Sequence, residues 1–171
     1  MRIVTLVLAF LFLGLGSFFS FIRYPVNGKH ADQLSRQVQR ADKLIKVLPE
    51  SHPKRVKAKA MIDAERGKPG RLKTASFLLL LSGVLALGLL VLTLMKKSSL
   101  ITVGAIGLLA MTAAVYVVAP EYKVGLLAAA PLRAASMIVF TAYLLGGLAA
   151  FGSDRLRLRK ERKSQLVEAA I

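Results

Sequence analysis

The chain has 171 residues, of which 55% are apolar and 20% charged; its net charge is +16, and it carries no cysteine and two histidines. Without cysteine there are no disulfides, no thiolate metal sites and no cysteine nucleophile, and two histidines are a thin ligand supply for a transition metal. Nearly all the charge is segregated into residues 23–74 and the tail after Phe151, with long apolar runs between them. A soluble domain spreads its charge over every surface element, whereas each bilayer crossing needs about 20 consecutive apolar residues. The sequence therefore predicts an all-α integral membrane protein: four transmembrane helices, with a basic helical hairpin between the first and second.

The expected division is 1–22 as the first transmembrane helix, 23–74 as the extramembrane hairpin, 75–151 as three further spans, and 152–171 as a polybasic C-terminal tail. Residues 3–22 lie between Arg2 and Arg23. The run is longer than a usual signal-peptide core, and Ser17-Phe18-Phe19-Ser20-Phe21 offers no small-x-small cleavage site, so a retained helix is expected.

Residues 23–74 carry 14 basic and 5 acidic side chains. Tyr24-Pro25-Val26-Asn27-Gly28 has the punctuation of a turn. Leu34, Val38, Ala41, Ile45 and Leu48 then recur as one helical stripe. Asp32 with Arg36, and Asp42 with Lys46, stand at i,i+4 with the acid first, the favourable order for pairing along one helix. Pro49 ends this leg and Pro53 opens a second, near 54–66, which Gly67, Pro69 and Gly70 are expected to end. The stripe reads as packing on the second leg or on the membrane surface, with a partner helix as the sharper alternative.

The later spans are read as 75–95, 100–119 and 132–151. Lys96-Lys97-Ser98-Ser99 closes a tight hairpin, and Pro120-Glu121-Tyr122-Lys123 makes a second break. The tail, Arg155 to Lys163, is expected to be helical. No internal repeat supports an inverted-repeat transporter. Four spans place both termini on one side. The loop side then holds 16 basic residues and the terminal side nine. Charges next to span ends weigh most, and by that measure the sides nearly balance; the tail cluster and the Lys96–Lys97 link favour cytoplasmic termini.

Inside the spans there is no Asp, Glu, Lys or His, the residues that mark proton relays, ion paths and haem ligation. His30 and His52 lie in the polar loop and read as solvated side chains, so no cofactor or metal is expected. Glu121, Lys123 and Arg133 read as an interfacial charge cluster beside Tyr122. The pattern credited within the membrane is small residues at helical spacing: Ser82 and Ala86, Ala110 and Ala114, and Ala142, Gly146 and Ala150. Small faces permit the close backbone approach through which spans associate in lipid.

Catalytically inert spans combined with two concentrated basic segments point to a non-catalytic accessory or assembly-stabilising subunit of a larger membrane complex. Its partners would be other membrane protein subunits and anionic lipids, contacted through Arg36, Arg40 and Lys43 and through Arg155, Arg157, Arg159, Lys160, Arg162 and Lys163. Nucleic acid is not expected, since no basic stretch is interleaved with aromatics. No small-molecule substrate is indicated, and the chain is not expected to be an enzyme. The alternative is a small oligomeric transporter or channel lined by Ser76, Ser82, Thr93, Thr102, Thr112, Ser136 and Thr141. Those hydroxyls are scattered along the sequence.

Overall fold

A computed structural model describes residues 2–47, 49, 53–95, 98–120 and 132–168. It is all-helical, with α1 at Arg2–Val47, α2 at Pro53–Arg66, α3 at Lys68–Leu94, α4 at Ser98–Val118 and α5 at Leu132–Glu168. Four helices are long and apolar enough to cross a membrane, and a multi-pass membrane protein follows from that. Along their apolar stretches large apolar side chains stay exposed, among them Phe18, Phe77, Val103 and Leu148, the surface a helix shows to lipid.

The four spans form an antiparallel bundle. α1 packs along both α3 and α5, α4 packs against the same two from the far side, and α1 and α4 do not touch among the described residues. Close approach is built on glycine. A Cβ at Gly16 would fall 2.4 Å from Tyr143 Cε1, and one at Gly146 would fall 2.6 Å from Leu13 Cγ and 3.1 Å from its backbone nitrogen. Gly83 lies against Ser20 and Ser17, Gly104 against Leu89, and Gly147 against Ala105, so the α1–α3, α3–α4 and α4–α5 seams each hold a glycine as well. With lipid as apolar as the helices, this backbone proximity is what favours association.

One expectation at the edge of the first span is corrected. The expected turn at 24–28 is absent: α1 runs unbroken for 46 residues with Pro25 inside it. Proline removes one backbone hydrogen bond, and packing on α3 and α5 holds the helix through that gap. Asn27, read as a turn residue, is buried in the bundle. The second leg does end where expected, α2 stopping at Arg66 with Gly67 as a turn, but Pro69 and Gly70 already lie inside the next helix, α3. Gly67 is in the αR conformation, Pro69 falls in the first turn of α3 where its missing N–H costs nothing, and Arg71 N donates to Gly67 O at 3.2 Å. The second leg thus feeds almost directly into the second span.

The expected pairing of acids with bases on their own helix is replaced by pairing across legs. Asp42 takes Arg66 at 2.8 Å, and Asp32 takes Lys73 at 2.7 Å. Leu34, Val38, Ala41 and Ile45 are half-buried on α1, and Ala31 and Ile62 are buried. Leu48 lies outside the described residues. α4 and α5 keep the bounds expected of the third and fourth spans to within two residues at α4's start and one at its end, and α5 continues without a break through Gly152 into the tail.

Candidate functional site: a basic stalk, a basic tail and a polar bundle interior

α1 continues as one helix from its apolar first half into the basic residues 23–47, the stalk. Residues 23–47 add roughly 37 Å of length beyond Ile22 at 1.5 Å per residue. Arg36, Arg40 and Lys43 are exposed on this stalk. They share a face with Leu44 and Val47, which are 70% and 83% exposed. On α2, Val56 and Met61 are 66% and 72% exposed. Leu44 and Val47 stand roughly 33–37 Å along the helix past Ile22, the last residue of the apolar run.

Asp42–Arg66 ties the stalk to α2, and Asp32–Lys73 ties it to the start of α3. Lys73 holds the Asp32 carboxyl below its usual value of 3.8, through a hydrogen bond first and its charge second; loss of solvation opposes this and Arg36 adds to it. Lys68 also pairs with Glu65 at the junction of the two helices. At the same end of the bundle, Arg71 and Arg133 close the C-terminus of α4. Arg71 donates to the carbonyls of Val118 at 3.2 Å and Val117 at 3.4 Å, and Arg133 Nε donates to Ala119 O at 3.0 Å while lying over the Tyr116 ring. Cations placed on the orphan carbonyls of a helix C-terminus complement its dipole. Glu121, Lys123 and Tyr122, expected beside Arg133, lie outside the described residues.

Arg155, Arg159, Lys160, Arg162 and Lys163 are exposed on the tail. Arg157 is placed differently: it is buried with Asp154 at 2.9 Å, their side chains 10% and 9% exposed. Of the small-residue positions, Ser82, Ala86, Gly146 and Ala150 are buried between helices, Ala142 and Ala114 are half-buried, and Ala110 is exposed.

The feature that sequence reading missed is polar. Tyr143 is fully buried, and its hydroxyl lies 3.0 Å from Ser20 Oγ. Ser20 Oγ also donates to Gly16 O at 2.9 Å, and Ser17 Oγ donates to Gly83 O at 3.1 Å across the α1–α3 seam. Tyr143 lies roughly 16 Å from the start of α5, near mid-bilayer. Tyrosine belongs by habit to the interfacial belts; a tyrosine central in a span, opposite two serines in another, was the available signal.

The candidate pore hydroxyls make no continuous lining. Ser76, Ser82, Thr93, Thr112 and Ser136 are buried and each donates to a carbonyl three or four residues back on its own helix. Thr141 does the same on the outer surface, and Thr102 is exposed. Among the described residues no group of His, Asp and Glu gathers in a metal-binding arrangement; His30 is exposed and His52 lies outside the described set.

The chain matches no family model, no curated protein and no solved structure. Its function is therefore read from its own chemistry.

Proposed function

We propose that this protein is a non-catalytic accessory or assembly-stabilising subunit of a larger membrane complex, holding a basic stalk at fixed height above the bilayer for an acidic partner. The observation that carries the reading is the unbroken α1: anchoring helix and stalk are one continuous helix. A stalk joined through a flexible turn would let a docked partner wander; a continuous helix, braced by Asp32–Lys73 and Asp42–Arg66, fixes both its distance and its direction.

The stalk face has the makeup of a protein interface. Arginine at its rim supplies charge complementarity and bidentate hydrogen bonding to carboxylates, and two exposed aliphatic residues supply an apolar anchor. The spans add small-residue seams that also suit association with neighbouring subunits. The test is native purification in mild detergent, comparing the wild type with Arg36→Glu/Arg40→Glu/Lys43→Glu. An acidic chain should co-migrate with the wild type, dissociate as salt rises, and be missing from the variant, while the bundle's melting is unchanged. A wild-type monomer without partners refutes the proposal.

A further inference from the structure

We propose that the opposite end of the molecule carries a binding site for one anionic phospholipid, formed by Phe151, Arg155, Leu158, Arg159 and Arg162 on the outer face of α5. These five residues line one open groove along a single helix face. The inference stands apart from the stalk reading, since it concerns other residues at the other membrane surface.

Three observations place a lipid there rather than a protein or a free ion. The first is depth. Leu13 meets Gly146 and Gly16 meets Tyr143, so α1 and α5 run in antiparallel register; carried onward, that register sets Ala9 level with Ala150, both fully buried, and Arg2 level with Arg157. The end of the bundle, and with it the bilayer edge, therefore falls within the turns that carry the groove. Arg155, Arg159 and Arg162 lie roughly 6, 12 and 16 Å past Phe151 along the axis. A headgroup layer is about 5–8 Å deep on each side of the hydrocarbon.

The second is direction. In an α-helix every Cα–Cβ bond tilts toward the N-terminus. α5 leaves the membrane with its C-terminus outward, so each arginine leans back toward the headgroups, and its aliphatic stem can follow the surface while the guanidinium stays wet. Arg155 already has this posture, its guanidinium lying 5.0 Å from the centre of the Phe151 ring.

The third is the sorting of the tail's charge. Arg157 turns inward onto Asp154, leaving Arg155, Arg159 and Arg162 as the outward set. They rise at i, i+4 and i+7 as a ladder of planar donors suited to bidentate phosphate binding. Phe151 and Leu158 give the groove an apolar wall beside which an acyl chain can lie. A soluble anion would gain nothing from that wall.

The full chain is purified in detergent, supplied with equal phosphatidylglycerol and phosphatidylcholine, and weighed intact by native mass spectrometry. One phosphatidylglycerol should be retained in preference to phosphatidylcholine. At about five-fold per arginine near a charged surface, Arg155→Gln/Arg159→Gln/Arg162→Gln should weaken retention roughly a hundred-fold. Arg159→Gln alone, kept as a check should the triple variant melt early, should weaken it about five-fold. Arg36→Gln/Arg40→Gln/Lys43→Gln removes the same charge from the stalk and should leave retention unchanged. Equal retention of both lipids, undiminished retention in the tail variants, equal loss in the stalk variant, or displacement by millimolar inorganic phosphate each overturns the proposal.

Discussion

Gly146→Ala adds a single methyl group, and the structure says where it must go. The new Cβ would lie 2.6 Å from Leu13 Cγ, 2.9 Å from Leu13 Cδ2 and 3.1 Å from Leu13 backbone nitrogen. Leu13 is fully buried, so its side chain has no open space to swing into, and the backbone contact cannot be relieved by a rotamer change. The α1–α5 seam must open by several tenths of an ångström, and overpacking of this kind typically costs about 1–3 kcal/mol. Gly88→Ala is the matched control: its Cβ meets nothing within 4 Å, so only the gain of about 1 kcal/mol from helix propensity remains. Gly146→Ala gains the same propensity term, so the two variants should differ by the overpacking cost alone, about 1–3 kcal/mol. Thermal unfolding in mild detergent would read this as Gly146→Ala melting several degrees below Gly88→Ala, with Gly88→Ala at or above the wild type. Leu13→Ala supplies the cross-check: it destabilises alone by opening a cavity, but in the Gly146→Ala background it also removes the clash, so the two changes should cost less together than their sum. Equal melting of Gly146→Ala and Gly88→Ala, or strict additivity with Leu13→Ala, would refute the packing described for this seam.

Tyr143→Phe removes the hydroxyl that meets Ser20 inside the bundle and should cost about 0.6 kcal/mol, the average for hydrogen bonds between membrane helices. Ser20→Ala should then add little to Tyr143→Phe, and full additivity in unfolding would show that the pair is not coupled. Asp32 should titrate below 3.8 by carboxyl NMR and return toward that value in Lys73→Gln. Because its folded value is depressed, the stabilisation it lends to the stalk is complete above pH 3.8 and is lost as pH falls through the lowered value. An identical midpoint in both proteins would contradict the Asp32–Lys73 pair. Asp154→Asn removes the nearer carboxylate from the buried Arg157, whose Nε keeps Glu161 at 3.6 Å, and should destabilise more than Asp154→Asn/Arg157→Gln, in which both charges of the buried pair are gone; a double variant less stable than the single would refute the ion pair.

The spans were legible in the sequence because bilayer thickness imposes a length and an apolar composition that no soluble helix needs. Where they ended was less legible. Pro25, Asn27 and Gly28 satisfy every local rule for a turn, yet α1 continues through them, since packing against two neighbouring helices outweighs one lost hydrogen bond. The same tertiary contact redirects Asp32 and Asp42 from bases on their own helix to Lys73 and Arg66, partners 41 and 24 residues away that no spacing rule nominates. Gly146 was visible as part of a small-residue repeat. Gly16, its counterpart on α1, stands four residues before Ser20 at the same small-residue spacing, but its contact with Tyr143 emerges only when the two helices are brought together. The tail's composition announced its charge but not its sorting: Arg157 is one of an alternating row in sequence, and only helical phase turns it inward while Arg155 and Arg159 face out.

The claim that the stalk is a docking face is tested most directly by a photo-crosslinking residue placed at Leu44 or Val47 in cells, with the lipid-facing position Phe77 as control. The account predicts one protein adduct of acidic composition from both stalk positions, abolished by Arg36→Glu/Arg40→Glu/Lys43→Glu and not formed from position 77. Stalk positions that give no protein adduct, or one indifferent to those three charges, would contradict it.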